Sequence, residues 1–205
     1  MRTHRLALLA PLLLVACATE ISTEKPYDPL QDYEELDAAT ILKAPSPTPG
    51  NFAPENLYQV QHGQYLVELL GCGACHTDGA LEGAPKVKQA LAGSRTGIAY
   101  TSPLGSDNPG IVYPPNITPD KETGIGDWSD QQIERAIRTG IGRHAGRRIA
   151  VMPWQGYAKM TREDVTAIVS YLRSIEPVRF QVPDEVKPGD PATEPFIYFG
   201  VYRSR

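Results

Sequence analysis

Residues 71–79 read GCGACHTDG, and within them Cys72, Cys75 and His76 stand at i, i+3 and i+4. Two thiols one helical turn apart, with an imidazole adjoining, suit three chemistries: a zinc site, a thiol redox pair, or a haem attachment site. Zinc wants four ligands, and the only other histidines are His62 and His144 once His4 is set aside with an N-terminal leader. A thioredoxin-like dithiol wants a βαβ setting, which the helical periodicity on either side denies. The spacing therefore favours haem: the thiols of Cys72 and Cys75 add to the two vinyl groups while His76 reaches the iron. Gly73 and Ala74, nearly without side chains, leave the porphyrin room to approach.

Working outward, the N-terminus MRTHRLALLAPLLLVACATE has basic Arg2 and Arg5 and an apolar run from Leu6 to Val15 that is too short to span a bilayer. It reads as a secretory signal over residues 1–16. The run LVAC resembles the lipobox of bacterial lipoproteins, which implies cleavage before Cys17 and lipid on its sulfur; the alternative is an ordinary signal peptide with a chance cysteine. Of the three cysteines, Cys17 then takes lipid, and Cys72 and Cys75 are left for the motif, too few for a disulfide framework. Without Arg2 and Arg5 the 20 Lys and Arg fall to 18 against 24 Asp and Glu. The mature chain is mildly acidic, which speaks against nucleic acid as a partner.

Residues 17–56 are rich in Pro, Asp and Glu with little hydrophobic period, and read as a lipidated flexible tether. Residues 57–181 read as the folded domain, and 182–205 as a C-terminal extension. Three helices are expected. The first carries Leu57, Val60, Leu66, Leu69 and Leu70 and stops at Gly71. The second opens on a Ser129/Gln132 capping box, buries Ile133, Ala136 and Ile137, and stops at Gly140. The third opens at Thr161, buries Val165, Ile168, Val169, Leu172 and Ile175, and stops before Pro177. Between the first two lie about fifty Gly- and Pro-rich residues, reasonable if they wrap a large ligand. No strand run competes, so the expected class is all-α: three main helices and long loops around a covalently bound haem.

A sixth iron ligand can be sought by elimination. Met160 directly precedes the Thr161 cap, where a staple contact with Val165 is its natural role. Met152 precedes Pro153, which stiffens an extended segment able to present sulfur; Met152 is the chosen ligand. His62 and His144 are weaker alternatives. Trp128 and Trp154 read as haem-packing residues. Asn116, Tyr157 and the arginines from Arg143 to Arg148 are candidates for bonding haem propionates, or solvated. Arg135, Arg138, Arg143, Arg147 and Arg148 crowd the stretch leading to Met152, and could form a positive patch that steers an acidic redox partner to the haem edge.

The span from about His62 to Ile175 resembles the class I c-type cytochromes, through GQYLVELLGCGACHT, a distal MPW and a final amphipathic helix. Within that class LAGS, GIVYPPNITPDKETGIGDWSDQQIERAIRTG and MPWQGYAKMTREDVTAIVSYLRS resemble the cytochrome c subunits of membrane-bound alcohol and gluconate dehydrogenases. The resemblance implies His76 and Met152 as axial ligands, an NITPD loop covering part of the haem, and first and last helices crossing near Gly63 and Tyr171. Those subunits carry three haem domains in one chain, whereas this sequence has a single C-x-x-C-H.

The resulting expectation is an exported monohaem c-type cytochrome on the periplasmic side of a bacterial membrane. It would be held by lipid at Cys17 and pass single electrons from a donor, such as a dehydrogenase, to a respiratory acceptor. Ala18 after the lipid cysteine points to outer-membrane sorting. The competing classes are a haem protein with a catalytic or gas-sensing iron, which Met152-Pro153 argues against, and a non-haem metal-binding lipoprotein.

Overall fold

Helix α1, Leu57–Leu69, and helix α5, Arg162–Ser174, pack face to face and carry most of the core. The face that α1 buries is Val60, Gly63 and Val67, spaced i, i+3 and i+7. Leu57 and Leu69, expected on that face, are exposed. The reason is Gly63: a Cβ there would lie 2.0 Å from the Ala167 carbonyl oxygen and 2.7 Å from Tyr171 Cβ, so only glycine allows this approach. Helix α5 buries Val165, Ile168, Val169, Tyr171 and Leu172, and Ile175 is buried just beyond its end. Each such residue contributes roughly 1.5–3 kcal/mol by leaving water. Its start is capped by the Thr161 hydroxyl, which accepts from Asp164 N–H at 3.1 Å.

The computed structural model describes residues 43–105, 107–142 and 151–200, which belong to one unit beginning at Leu36. The expected signal segment, Cys17 and the tether to residue 42 lie outside the described residues, as do Arg143, His144, Arg147 and Arg148. Helix α2, Cys72–His76, follows α1 after Gly71, whose φ of 66° turns the chain where other residues would be strained. Helix α3, Asp130–Thr139, opens on the expected capping box: Gln132 N–H donates to Ser129 Oγ and Ser129 N–H to Gln132 Oε1. A short turn of helix, α4, spans Trp154–Tyr157. No helix among the described residues is long and apolar enough to cross a membrane.

Two expectations need correction. The helices are joined by a three-stranded sheet: β1 (Gly97–Ala99) lies between β2 (Ile111–Val112), antiparallel, and β3 (Phe196–Tyr198), parallel. Strands of two or three residues are too short to show a period of two, and one pairing joins segments about a hundred residues apart. The fold is thus helical with a small sheet rather than purely all-α. Neither flank is loose within the described residues. Tyr171 O–H donates to Pro45 O at 2.6 Å, Thr48 N–H to Ser174 O at 2.8 Å, and Ala44 and Phe52 pack on the core, so residues 43–56 are not tether. The C-terminal extension supplies Val182, Val186, Phe196 and Tyr198 to a second cluster around Ala99, Ile111 and Tyr113.

Candidate functional site

Between α1, α3, α5 and the loop from Pro114 to Trp128 lies an open-sided crevice with an almost wholly apolar lining. Val67, Leu70, Ile98, Ile117, Ile133, Ile137 and Leu172 are among the apolar side chains that line it. Cys72, Cys75, His76 and Met152, separated by up to 80 positions, all line this one cavity. The two cysteines are free, one turn apart on α2. Burial pushes the Cys72 thiol up to about 11, opposed by a hydrogen bond from its own backbone and reinforced by Cys75; burial also raises Cys75. Thiols held protonated are poor redox nucleophiles, which speaks against the dithiol alternative. Among the described residues no group of three or more His, Cys, Asp or Glu converges as a metal site.

His76 is oriented from behind. Its Nδ1 lies 2.8 Å from Pro115 O, and because a carbonyl only accepts, Nδ1 carries the proton. Nε2 is left with a bare lone pair, the form in which imidazole binds a metal. Burial lowers the His76 pKa, against the opposing effect of the Pro115 bond, so the ring stays neutral at neutral pH. The chain around it is fixed: Gly93 N–H donates to His76 O at 2.9 Å, and Leu91 N–H to Thr77 Oγ1 at 3.1 Å. Buried Asp78 would be raised by burial, yet the Lys86 ammonium at 2.6 Å and Arg95 N–H at 2.7 Å hold it below the usual carboxylate range.

These residues fit a covalently attached haem: two free thiols one helical turn apart, a pre-oriented imidazole, an apolar slot and a thioether all open onto the same space. Met152 is half-buried at the crevice, whereas Met160 also lines it but is packed against the main core. His62 is elsewhere, its Nε2 2.9 Å from Asp164 Oδ1 across α1 and α5. Trp128 lines the crevice; Trp154 instead packs over Gly140, where a Cβ would come within 2.5 Å of its ring. Burial, with Cys72 and Cys75 nearby, pushes Tyr157 up to about 12, so the phenol on the crevice wall stays neutral.

Asn116 does not fit the propionate role. Its Nδ2 donates to Thr123 Oγ1 at 2.9 Å and Val178 O at 2.7 Å, while Oδ1 accepts from Thr118 N–H at 2.9 Å and Thr118 O–H at 2.8 Å. Phe180 N–H donates to Thr123 Oγ1 at 3.1 Å, completing a seam that sews the NITPD loop to the C-terminal segment. Arg138 departs from the expected docking patch. Its guanidinium is half-buried and donates to Met160 O at 2.9 Å, Thr161 O at 3.0 Å and Ala158 O at 3.4 Å, with Glu134 at 3.1 Å behind it. Arg173 likewise grips the carbonyls of Ile125, Gly126 and Trp128. Carbonyl partners of arginine carry no sequence signature, and sequence reasoning missed both roles.

The cytochrome c family model matches residues 60–176. The fructose dehydrogenase cytochrome subunit of Gluconobacter japonicus is 34% identical over 144 residues, covering 70% of this chain and 26% of that protein. The gluconate 2-dehydrogenase cytochrome c subunit of Pantoea cypripedii is 34% identical, covering 58% and 24% respectively. The quinone alcohol dehydrogenase cytochrome c subunit of Gluconacetobacter polyoxogenes is 36% identical, covering 58% and 22%. The chain thus spans about a quarter of the length of these relatives.

Proposed function

We propose, since this chain belongs to the cytochrome c family and therefore carries electrons through covalently bound haem c rather than transforming a substrate, that it is a lipid-anchored carrier with one haem, working beside a dehydrogenase at the periplasmic face of a bacterial membrane. Cys72 and Cys75 would form the thioether links, and His76 and Met152 would ligate the iron. Bound there, haem c supplies a one-electron ferric–ferrous couple. The protein holds it: Pro115 O fixes His76 with Nε2 toward the crevice, and the apolar walls exclude water. A dry crevice and thioether ligation both favour the reduced state, and hence a fairly high potential. The observation that carries the reading is the shared cavity of Cys72, Cys75, His76 and Met152.

A dehydrogenase acting on an alcohol, a sugar or a sugar acid is the proposed donor, because the relatives are cytochrome subunits of such enzymes. The acceptor is a respiratory oxidase or cytochrome, the count of one haem rests on the single C-x-x-C-H, and the anchor rests on Cys17 in LVAC, with Ala18 favouring the outer membrane. Denatured protein run on a gel should keep haem colour, and Cys72→Ala with Cys75→Ala should lose it. Met152→Ala should abolish the sulfur–iron charge-transfer band of the oxidised protein and lower the potential, while Met160→Ala should keep both. Loss of colour from the unmodified protein, or the reverse pattern for the methionines, would overturn the assignment.

A further inference from the structure

Within the described residues, the chain on the C-terminal side of Met152 is a stiff connector. Pro153 fixes its own φ, Trp154 N–H donates to Met152 O at 2.8 Å, and Ala158 N–H to Trp154 O at 2.7 Å, so Met152 and the turn of α4 move together. That connector is anchored to α3 at two places. Trp154 lies over Gly140 at the end of α3, and Arg138, two residues earlier, reaches the far end of the connector. The Arg138 guanidinium donates to three carbonyls, Ala158, Met160 and Thr161, that sit six to nine positions beyond Met152. Glu134, one turn back on α3, accepts from Nε at 3.1 Å and holds the fork in place. Planar donors aimed at several backbone acceptors use geometry that an ammonium cannot reproduce.

We infer that Arg138 is a positioning residue for Met152: by clamping the segment that follows the thioether to α3, it keeps the sulfur at the crevice and so sets how firmly the sixth iron position is closed. The inference rests on Met152 being the axial ligand. Arg173 provides an internal comparison, since it also grips three backbone carbonyls but on the opposite loop, at Ile125, Gly126 and Trp128. Loss of either arginine leaves orphaned carbonyls and costs stability; only loss of Arg138 releases the methionine segment.

The test is titration of the oxidised haem-loaded protein with imidazole, which competes with the thioether for the iron, together with the charge-transfer band and the reduction potential. Hydrogen bonds to a charged donor are strong enough that removing the clamp should raise imidazole affinity by about tenfold. Arg138→Met should show that rise, a weaker band and a lower potential. Arg138→Lys, which keeps the charge without the fork, should fall between and serves if the methionine variant does not fold. Arg173→Met should lose thermal stability with a clearly smaller rise in imidazole affinity than Arg138→Met. Wild-type affinity and band in both Arg138 variants, or an equal rise in Arg173→Met, would overturn the inference. Met152→Ala run alongside separates the two readings: a band that survives it sinks the ligand assignment, whereas a band lost there but intact in the Arg138 variants sinks only the clamp.

Discussion

Replacing Gly63 with alanine tests the contact on which the helical core turns. The new Cβ would sit 2.0 Å from Ala167 O, 2.5 Å from Ala167 C and 2.7 Å from Tyr171 Cβ. Two of these are backbone atoms in the middle of α5, held by its own hydrogen bonds, so the helices must part by roughly 1 Å to restore van der Waals distance. A gap of that size forfeits about a quarter to a half of each dispersion contact across the crossing, where Val60, Val67, Ile168 and Tyr171 are fully or nearly fully buried. Overpacking of this kind costs about 1–3 kcal/mol, occasionally more, with no outlet for the strain in rigid backbone. Alanine returns about 1 kcal/mol through helix propensity. Rigid backbone on both sides puts the cost in the upper part of that range, so the net expectation is a loss of about 1–2 kcal/mol, or roughly 2–8 °C in Tm for a domain of this size. Gly156→Ala is the control: it also lies in a helix, but its Cβ would meet nothing within 4 Å, so it should be neutral or slightly stabilising. The assay is thermal and denaturant unfolding of the oxidised haem-loaded protein, followed by circular dichroism. A Gly63→Ala midpoint equal to or above wild type would refute the reasoning, because it would mean that α1 and α5 separate at no cost.

Asn116→Ala should cost about 2–4 kcal/mol, since it strips partners from buried Thr118 and from Val178 O at once, while the reduction potential stays put; a large shift in potential at unchanged stability would return Asn116 to a propionate role. Hydrogen bonds from Thr123 O–H and N–H, both at 2.7 Å, hold the Asp120 carboxyl below its usual range. A depressed carboxylate stabilises the fold above its unfolded pKa, and that contribution fades as pH falls through the lower folded value. Wild type should therefore exceed Asp120→Asn in denaturant midpoint at neutral pH, with the gap closing in acid below about pH 4; a gap independent of pH would refute this. Cys17→Ser should release the protein from membranes with its haem spectrum intact, and persistent membrane association would place the anchor elsewhere.

The C-x-x-C-H motif was legible locally because it is written in one short stretch: Cys72, Cys75 and His76 sit within about one helical turn, and that spacing admits few ligands. Helix limits were legible where caps mark them, at Ser129, Gly140 and Thr161. The face that α1 buries was not, because the contact centres on a glycine, which adds nothing to a hydrophobic pattern, and leucines at 57 and 69 pointed the reading outward. Nor was the sheet, whose strands are shorter than the period that would reveal them and whose β1–β3 pairing depends on the chain returning from its far end. Tertiary structure alone decided which polar side chains were available to the crevice. Asn116, Arg138 and Arg173 look like free ligand contacts or surface charge in sequence, yet each is occupied by backbone carbonyls that only the folded chain brings within 3.5 Å. A carbonyl belongs to every residue alike, so a side chain that bonds to one leaves no mark on the identity of its partner.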